Sequence, residues 1–317
     1  GVCRLGRKGN RASPIRRHVM DCEEIMKVAV YGLGHLGFVT AAGLASVGHD
    51  VVGIDPEWEE KWIDVDEPGL DDLIHDNQDR LTFAHDVERM RDAEVVWITF
   101  DTPVDDRDQA AVQFVVDKII EAVPMIPPGA LVIVSSQLPV GTIHRLELAA
   151  PLLIFFCIPE NLRHGTAVEN FIKPDRIVVG CRGSGMDIVG AQKIIALLLP
   201  IGQNGSFKIE WMSIESAEMT KHAINAFLAM SIAFINEIAA ICEVVGANPS
   251  EVERGLKTES RIGQKAYLKP GGPYTGKTLA RDVEYLTRIK IDNHLNTPVI
   301  ENIQLSNYVQ RRRMENA

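Results

Sequence analysis

Six consecutive residues, Gly32-Leu33-Gly34-His35-Leu36-Gly37, have the types and spacing needed to hold a pyrophosphate. The first glycine permits a tight turn. Gly34 lets the backbone approach the anion, and Gly37 lets a helix pack closely on the preceding strand. A helix that opens here offers unpaired N–H groups and the positive end of its dipole. Asp55 ends the next apolar run, DVVGI, where a carboxylate would accept hydrogen bonds from a ribose. That carboxylate would also repel a 2′-phosphate, and no Arg stands close by to offset the repulsion. The expected cofactor is therefore NAD rather than NADP. Three glycines alone are a weak signal, and a ligand-free turn is the alternative. The strand before them, the helix after them and the acid beyond make the dinucleotide reading stronger.

These residues need a rigid frame, and the hydrophobic pattern supplies one. Residues 27–31 (KVAVY) read as a short strand, 36–47 as a helix and 50–54 as a second strand. Further strands are expected at 94–100, 130–135, 152–157 and 176–179, with helices at 111–123 and 185–199. Apolar strands alternating with helices predict an α/β fold, a doubly wound parallel Rossmann sheet. This NAD-binding domain is placed at 26–205. Beyond it, 206–317 reads as a smaller all-α central domain built on one long helix, 216–245, which has no Pro. Asn248 and Pro249 suit the N-cap and first position of another helix. A Gly/Pro-rich loop follows at 269–276, then more helix from Leu279. Residues 1–25, with Arg4, Arg7, Lys8, Arg11, Arg16 and Arg17 before any acid, read as a disordered basic extension.

Bulk properties exclude several classes. The 317 residues carry a formal net charge of -10, which argues against nucleic acid as a partner. Five cysteines at wide spacings, with no C-x-x-C, fit a reducing compartment better than a disulfide framework or a zinc site, and no metal is expected. The apolar stretches read as too interrupted to span a membrane, and no secretory leader is visible. Cytoplasm is the expected location. The long helix carries more apolar surface than one small helical domain can cover, which predicts a homodimer through 216–245.

Several further segments carry a specific resemblance. They are Glu67-Pro68-Gly69-Leu70, Thr102-Pro103, Leu138-Pro139-Val140-Gly141-Thr142 and Pro159-Glu160-Asn161-Leu162-Arg163. Asn225-Ala226-Phe227-Leu228-Ala229, Phe234-Ile235-Asn236-Glu237, Arg261-Ile262-Gly263 and Arg281-Asp282-Val283 complete the set. Together with the glycines, the chain resembles the UDP-glucose/GDP-mannose dehydrogenases, which oxidise a sugar C6 alcohol to a carboxylate in two hydride transfers to NAD. The resemblance implies a nucleotide-sugar substrate. It implies that Lys221 and Asn225, at i and i+4 on one helix face, line the reacting carbon. Glu160 is the implied acid/base group, and Asp282 sits by the reacting group. Thr102, Gln137 and the Leu138-Pro139 loop would touch the cofactor. Asn161, Leu162, Arg163, Arg261, Tyr267, Leu268 and Gly271 are the implied substrate contacts, with Arg261 reaching the nucleotide phosphates.

The chain also departs from that family. The family's nucleophilic Cys position is held by Thr278, in Gly276-Lys277-Thr278-Leu279-Ala280-Arg281-Asp282. A threonine hydroxyl is far less acidic than a thiol and a poorer nucleophile, so the thioester route to the acid is not expected. Gln137 stands where the family has Thr, and His164 stands where it has a second Glu. Pro273-Tyr274-Thr275 replaces a flexible glycine run, and the segment between Asp55 and Glu67 is short. The family's third, C-terminal domain is expected to be missing. Two other readings stay open: a β-hydroxyacid-dehydrogenase-like single oxidation, and an inactive NAD-binding homologue.

Overall fold

The computed structural model describes residues 25–57, 65–105, 110–160, 162–183, 188–201, 207–274 and 277–316. The basic extension, apart from Ile25, lies outside them, as does Asn161. Among the described residues, eight strands form one sheet: β1 (Lys27–Tyr31), β2 (Asp50–Ile54), β3 (Leu81–Ala84), β4 (Val95–Ile98), β5 (Leu131–Val134), β6 (Ile154–Cys157), β7 (Arg176–Cys181) and β8 (Lys208–Ser213). Their spatial order is β3-β2-β1-β4-β5-β6-β7-β8. Every pairing is parallel except β6 with β7. The strand order reverses between β1 and β4, which opens the crevice that ligands use in such sheets.

The central strands explain themselves. β4 and β5, VVWI and LVIV, are buried at every position because helices cover both faces. One face is covered by α1 (His35–Ser46), α2 (Leu70–Asp76), α5 (Ala167–Ile172) and α6 (Ile188–Leu198); the other takes α3 (Val112–Ala122) and α4 (Thr142–Ala149). Two strands escaped the pattern read above. β3 is a four-residue edge strand, and β8, with its half-exposed residues, is the other edge. The stretch Lys208–Ser213, placed above with the helical unit, thus belongs to the sheet.

The helical unit has α7 (Ile214–Val245), α8 (Pro249–Thr258), α9 (Lys277–Asp292) and α10 (Pro298–Glu315). Ser213 caps α7 by accepting from the Ser216 N–H. Asn248 caps α8 with Pro249 at its first position, as the sequence predicts. Gly180 in β7 lets α7 lie directly on the sheet: a Cβ there would stand 2.6 Å from the Ala217 Cβ. Ala226 and Ala229 of α7 pack with Val283 of α9, Ile303 of α10 and Tyr274 in a small separate core. The expectation that every apolar stretch is too interrupted for a membrane needs correcting. α7 is long and apolar enough to cross a membrane by length and composition. In this structure Glu218, His222, Asn225 and Asn236 of that helix are buried against partners in the sheet loops, α9 and the 271–272 turn.

Candidate active site

The glycine loop leaves β1 and crosses the β1–β4 switch point. Gly32 has φ +105°, and its N–H donates to the Ile54 carbonyl at 2.9 Å. A Cβ at Gly32 would meet the Phe100 amide nitrogen at 2.6 Å, and one at Gly37 would meet the Gly32 carbonyl oxygen at 1.9 Å. Neither position tolerates a side chain. Thr99 fixes the turn by donating its hydroxyl to the Gly32 carbonyl at 2.7 Å. α1 then begins at His35, so the backbone of Leu33 to Gly37 surrounds the helix start.

Asp55 follows β2 and is 8% exposed. Its Oδ2 accepts from the Leu33 N–H at 2.9 Å and its Oδ1 from the Glu57 N–H at 3.0 Å. Each carboxylate oxygen has two lone pairs. One on each remains free, enough for two ribose hydroxyls. The same carboxylate therefore shapes the glycine turn and presents acceptors beside it, which fits the adenosine end of NAD. Leu36 is half-buried in the first turn of the helix. Asp101 had not been singled out: its Oδ2 would lie 2.5 Å from a Cβ on Gly34. Desolvation pushes the Asp101 carboxyl up, against the pull of Arg281, His35 and His164.

Across the C-terminal ends of β5 and β6, a small cavity is lined by Ser136, Gln137, Cys157, Glu160, Lys221 and His222. Lys221 Nζ stands 3.8 Å from Glu160 Oε2, with side chains only 12% and 22% exposed. The Ser136 hydroxyl is buried there and has no partner among the described residues. Burial, reinforced by the charge of Glu218, pushes the Cys157 thiol far up, which makes it a poor nucleophile.

Asn225 and Asp282, both implied to lie by the reacting group, bond to each other. The Asn225 amide donates to Asp282 Oδ2, and so does the Gln137 amide. His222 Nδ1 lies 3.2 Å from Asp282 Oδ1, and its Nε2 lies 3.0 Å from the Leu138 carbonyl. The neighbouring Arg281 Nη2 donates to Gln137 Oε1, and its Nη1 donates to the Thr102 carbonyl at 3.3 Å. Thr102 closes the ring, donating to the Gln137 carbonyl at 2.8 Å. Asp282, fully buried, is the hub of this network. Asp282→Ala would strand its donors, so it is expected to lower stability by roughly 3–5 kcal/mol, read as a shifted urea midpoint. Asp282→Asn should lose less.

The other predicted residues divide. Thr278 is exposed in the first turn of α9, four residues before Asp282. Leu268 is buried, and Tyr267 is 42% exposed. Gly271 is held by Asn236, which accepts from the Gly271 N–H at 2.9 Å and donates to the Gly272 carbonyl at 3.0 Å. Asn307 pins Tyr274 in the same way through both backbone groups, at 2.8 and 3.1 Å. Leu162 is partly buried and packs against the sheet core. Arg163 is exposed. Arg261, with its side chain 86% exposed, pairs with Glu259 at 3.0 Å. His222, Arg281, Ser136 and Asp101 were not anticipated as site residues. The partners of His222 and Arg281 lie far away in sequence, and only the HAIN and ARDV contexts hinted at these two.

This is a Rossmann-type dinucleotide fold joined to a helical unit that supplies half of a polar cleft. Residues 26–192 match the UDP-glucose/GDP-mannose dehydrogenase family, NAD binding domain, and residues 215–308 match the central domain of the same family. A UDP-glucose 6-dehydrogenase of Rhizobium meliloti is 34% identical, over 91% of this chain and 69% of its own. One from Bacillus subtilis is 33% identical, over 83% and 62%. The solved UDP-glucose dehydrogenase of Pyrobaculum islandicum superposes with a TM-score of 0.78 at 26% identity, over 91% of this chain and 69% of that one. The chain belongs to the UDP-glucose/GDP-mannose dehydrogenase family, NAD-dependent oxidoreductases acting on CH–OH donors. It spans 62 to 69% of the length of these relatives.

Proposed function

We propose that the chain is a nucleotide-sugar 6-dehydrogenase of the UDP-glucose type that oxidises a C6 alcohol, with its second oxidation impaired. The observation that carries this reading is the Lys221–Glu160 pair, 3.8 Å apart and mostly withdrawn from water beside the unpartnered Ser136 hydroxyl. Gly32, Gly34, Gly37 and Asp55 would hold NAD, which when bound supplies the hydride acceptor. Lys221 would hold the alcohol oxygen and stabilise its developing negative charge. Glu160 would take the hydroxyl proton, directly or through one water. The alcohol thus loses a hydride and a proton and leaves as an aldehyde.

A second oxidation needs either an enzyme nucleophile or a hydrate. Thr278 offers only a hydroxyl, and Cys157 is buried with a thiol that resists ionisation. The route left is a hydrated aldehyde, which is slow. The test is to incubate the protein with NAD and UDP-glucose and count NADH per sugar. The expected ratio is one or below, with aldehyde trapped by a hydrazine. Two NADH and free uronate at the rate of the first step would remove the impairment. The closed network around Asp282 and Asn225 favours a second reading, an NAD-binding homologue without turnover. NAD uptake with no NADH from any nucleotide sugar would establish that instead.

Two further parts of the proposal rest on α7. Phe227, Phe234 and Ile241 lie at seven-residue spacing and are 62%, 48% and 57% exposed. That stripe supports a homodimer through this helix, as a coiled-coil-like seam. Sedimentation should give a dimer at micromolar concentration, and Phe227→Glu with Phe234→Glu a monomer; an unchanged mass in both would remove the seam. The net charge of -10 and the buried polar partners of α7 support a cytoplasmic protein that needs neither nucleic acid nor membrane.

A further inference from the structure

We propose that His35, Glu67 and His164 form a binding site for a divalent transition metal, Zn²⁺ by donor chemistry. His35 Nε2 lies 2.8 Å from Glu67 Oε2, with Glu67 buried. The His164 ring stacks on His35 with centroids 4.0 Å apart and planes at 33°. One donor atom from each of the three residues falls within 4.8 Å of the others. Around a zinc ion with bonds of about 2.0–2.2 Å, ligand atoms stand roughly 3.3–3.5 Å apart. The His35–Glu67 pair, at 2.8 Å, is a little closer than that spacing, and exposed His164 has to turn a ring nitrogen toward the pair to join it.

The carboxylate is prepared in the manner of a metal ligand. The Gly165 N–H donates to Glu67 Oε2 at 2.9 Å, and the Ala167 N–H donates to Oε1 at 2.7 Å. These bonds fix the orientation of the carboxylate, as outer-shell partners do in metal sites. They come from the loop that follows His164, so both sides of the site are held by one short turn. The remaining coordination position opens onto a cavity of about 590 Å³ lined by Val65, Asp66, Pro68 and Gly165 as well as the two histidines. Asp66 adds negative charge at the rim. Two imidazoles and a carboxylate suit Zn²⁺, Co²⁺ or Ni²⁺; they do not suit Mg²⁺ or Ca²⁺, which take oxygen ligands. The cysteine spacings discussed above exclude a thiolate site and have no bearing on this donor set.

The test needs neither NAD nor sugar, so it is independent of the enzymatic reading. The full chain, with Cys3 and Cys22 replaced by Ser and stripped by a chelator, is titrated with ZnCl₂ against a chromophoric competitor. One equivalent should bind, and Co²⁺ should give a visible d–d absorption. His164→Ala alters an exposed side chain and should weaken binding at least about tenfold, the lower range for loss of even an outer-shell partner. His35→Ala should do the same. The proposal is overturned if no saturable binding occurs, or if both variants bind Zn²⁺ as tightly as the parent.

Discussion

Lys221→Ala is expected to lower kcat for alcohol oxidation by about 10²–10³, the usual loss when one donor to a developing oxyanion is removed. The reason lies in where the ammonium sits. Lys221 leaves α7 one turn before Asn225, is 12% exposed, and points at Glu160 beside the Ser136 hydroxyl. A solvated helix lysine would not be held in this way. Because the charge acts on an oxygen that becomes negative only as hydride leaves, KM should change far less than kcat. NAD affinity, read by quenching of tryptophan fluorescence, should stay within about twofold of the parent, since Lys221 touches none of the glycine loop. Lys221→Arg should not rescue the rate, because a planar guanidinium cannot take the place of a compact ammonium. Stopped-flow measurement of the first NADH is the decisive readout. Equal rates for parent and Lys221→Ala would remove this lysine from the chemistry.

Gly37→Ala is expected to abolish saturable NAD binding at millimolar cofactor and to destabilise the fold by at least about 1–3 kcal/mol, the ordinary cost of overpacking. Its Cβ would lie 1.9 Å from the Gly32 carbonyl oxygen, far inside contact distance, and 3.1 Å from Thr99 Oγ1. Nothing at the far end of a flexible side chain could yield. The turn itself would have to open, and with it the Leu33 N–H bond to Asp55. Gly255→Ala in α8 is the control. A Cβ there meets nothing within 4 Å, so the helix should gain up to about 1 kcal/mol. Isothermal titration with NAD and chemical denaturation of both variants check the pair. Intact NAD binding in Gly37→Ala would mean the pyrophosphate does not rest on this turn.

How much of this was legible depended on the range of the code involved. The glycine turn, its helix and Asp55 are written within about 25 residues, so spacing alone located them. The caps Ser213 and Asn248 are local too, though only Asn248, followed by Pro249, stood out. β3 and β8 were missed because edge strands bury less and show no continuous apolar run. The long helix was legible, but its polar interior was not: periodicity places His222 on the buried face without naming Asp282, 60 residues away, as its partner. Gln137 was noticed as a departure, and its role as a bridge between Asp282 and Arg281 emerges only in three dimensions. Leu162 and Arg163 were carried over with their motif. Leu162, partly buried, packs against the sheet core, and Arg163 is exposed.

The guanidinium of Arg281 holds the Thr102 carbonyl with one nitrogen and the Gln137 amide with another, while its own chain neighbour Asp282 gathers Asn225 and His222. One residue of the C-terminal half thus latches two loops of the N-terminal half. A molecule that drew Gln137 away from Asp282 would also act on Arg281, and through it on the Thr102 carbonyl. Filling of the two sides of the cleft is therefore expected to be coupled. Whatever factor one occupant imposes on the affinity of the other, it receives back in equal measure.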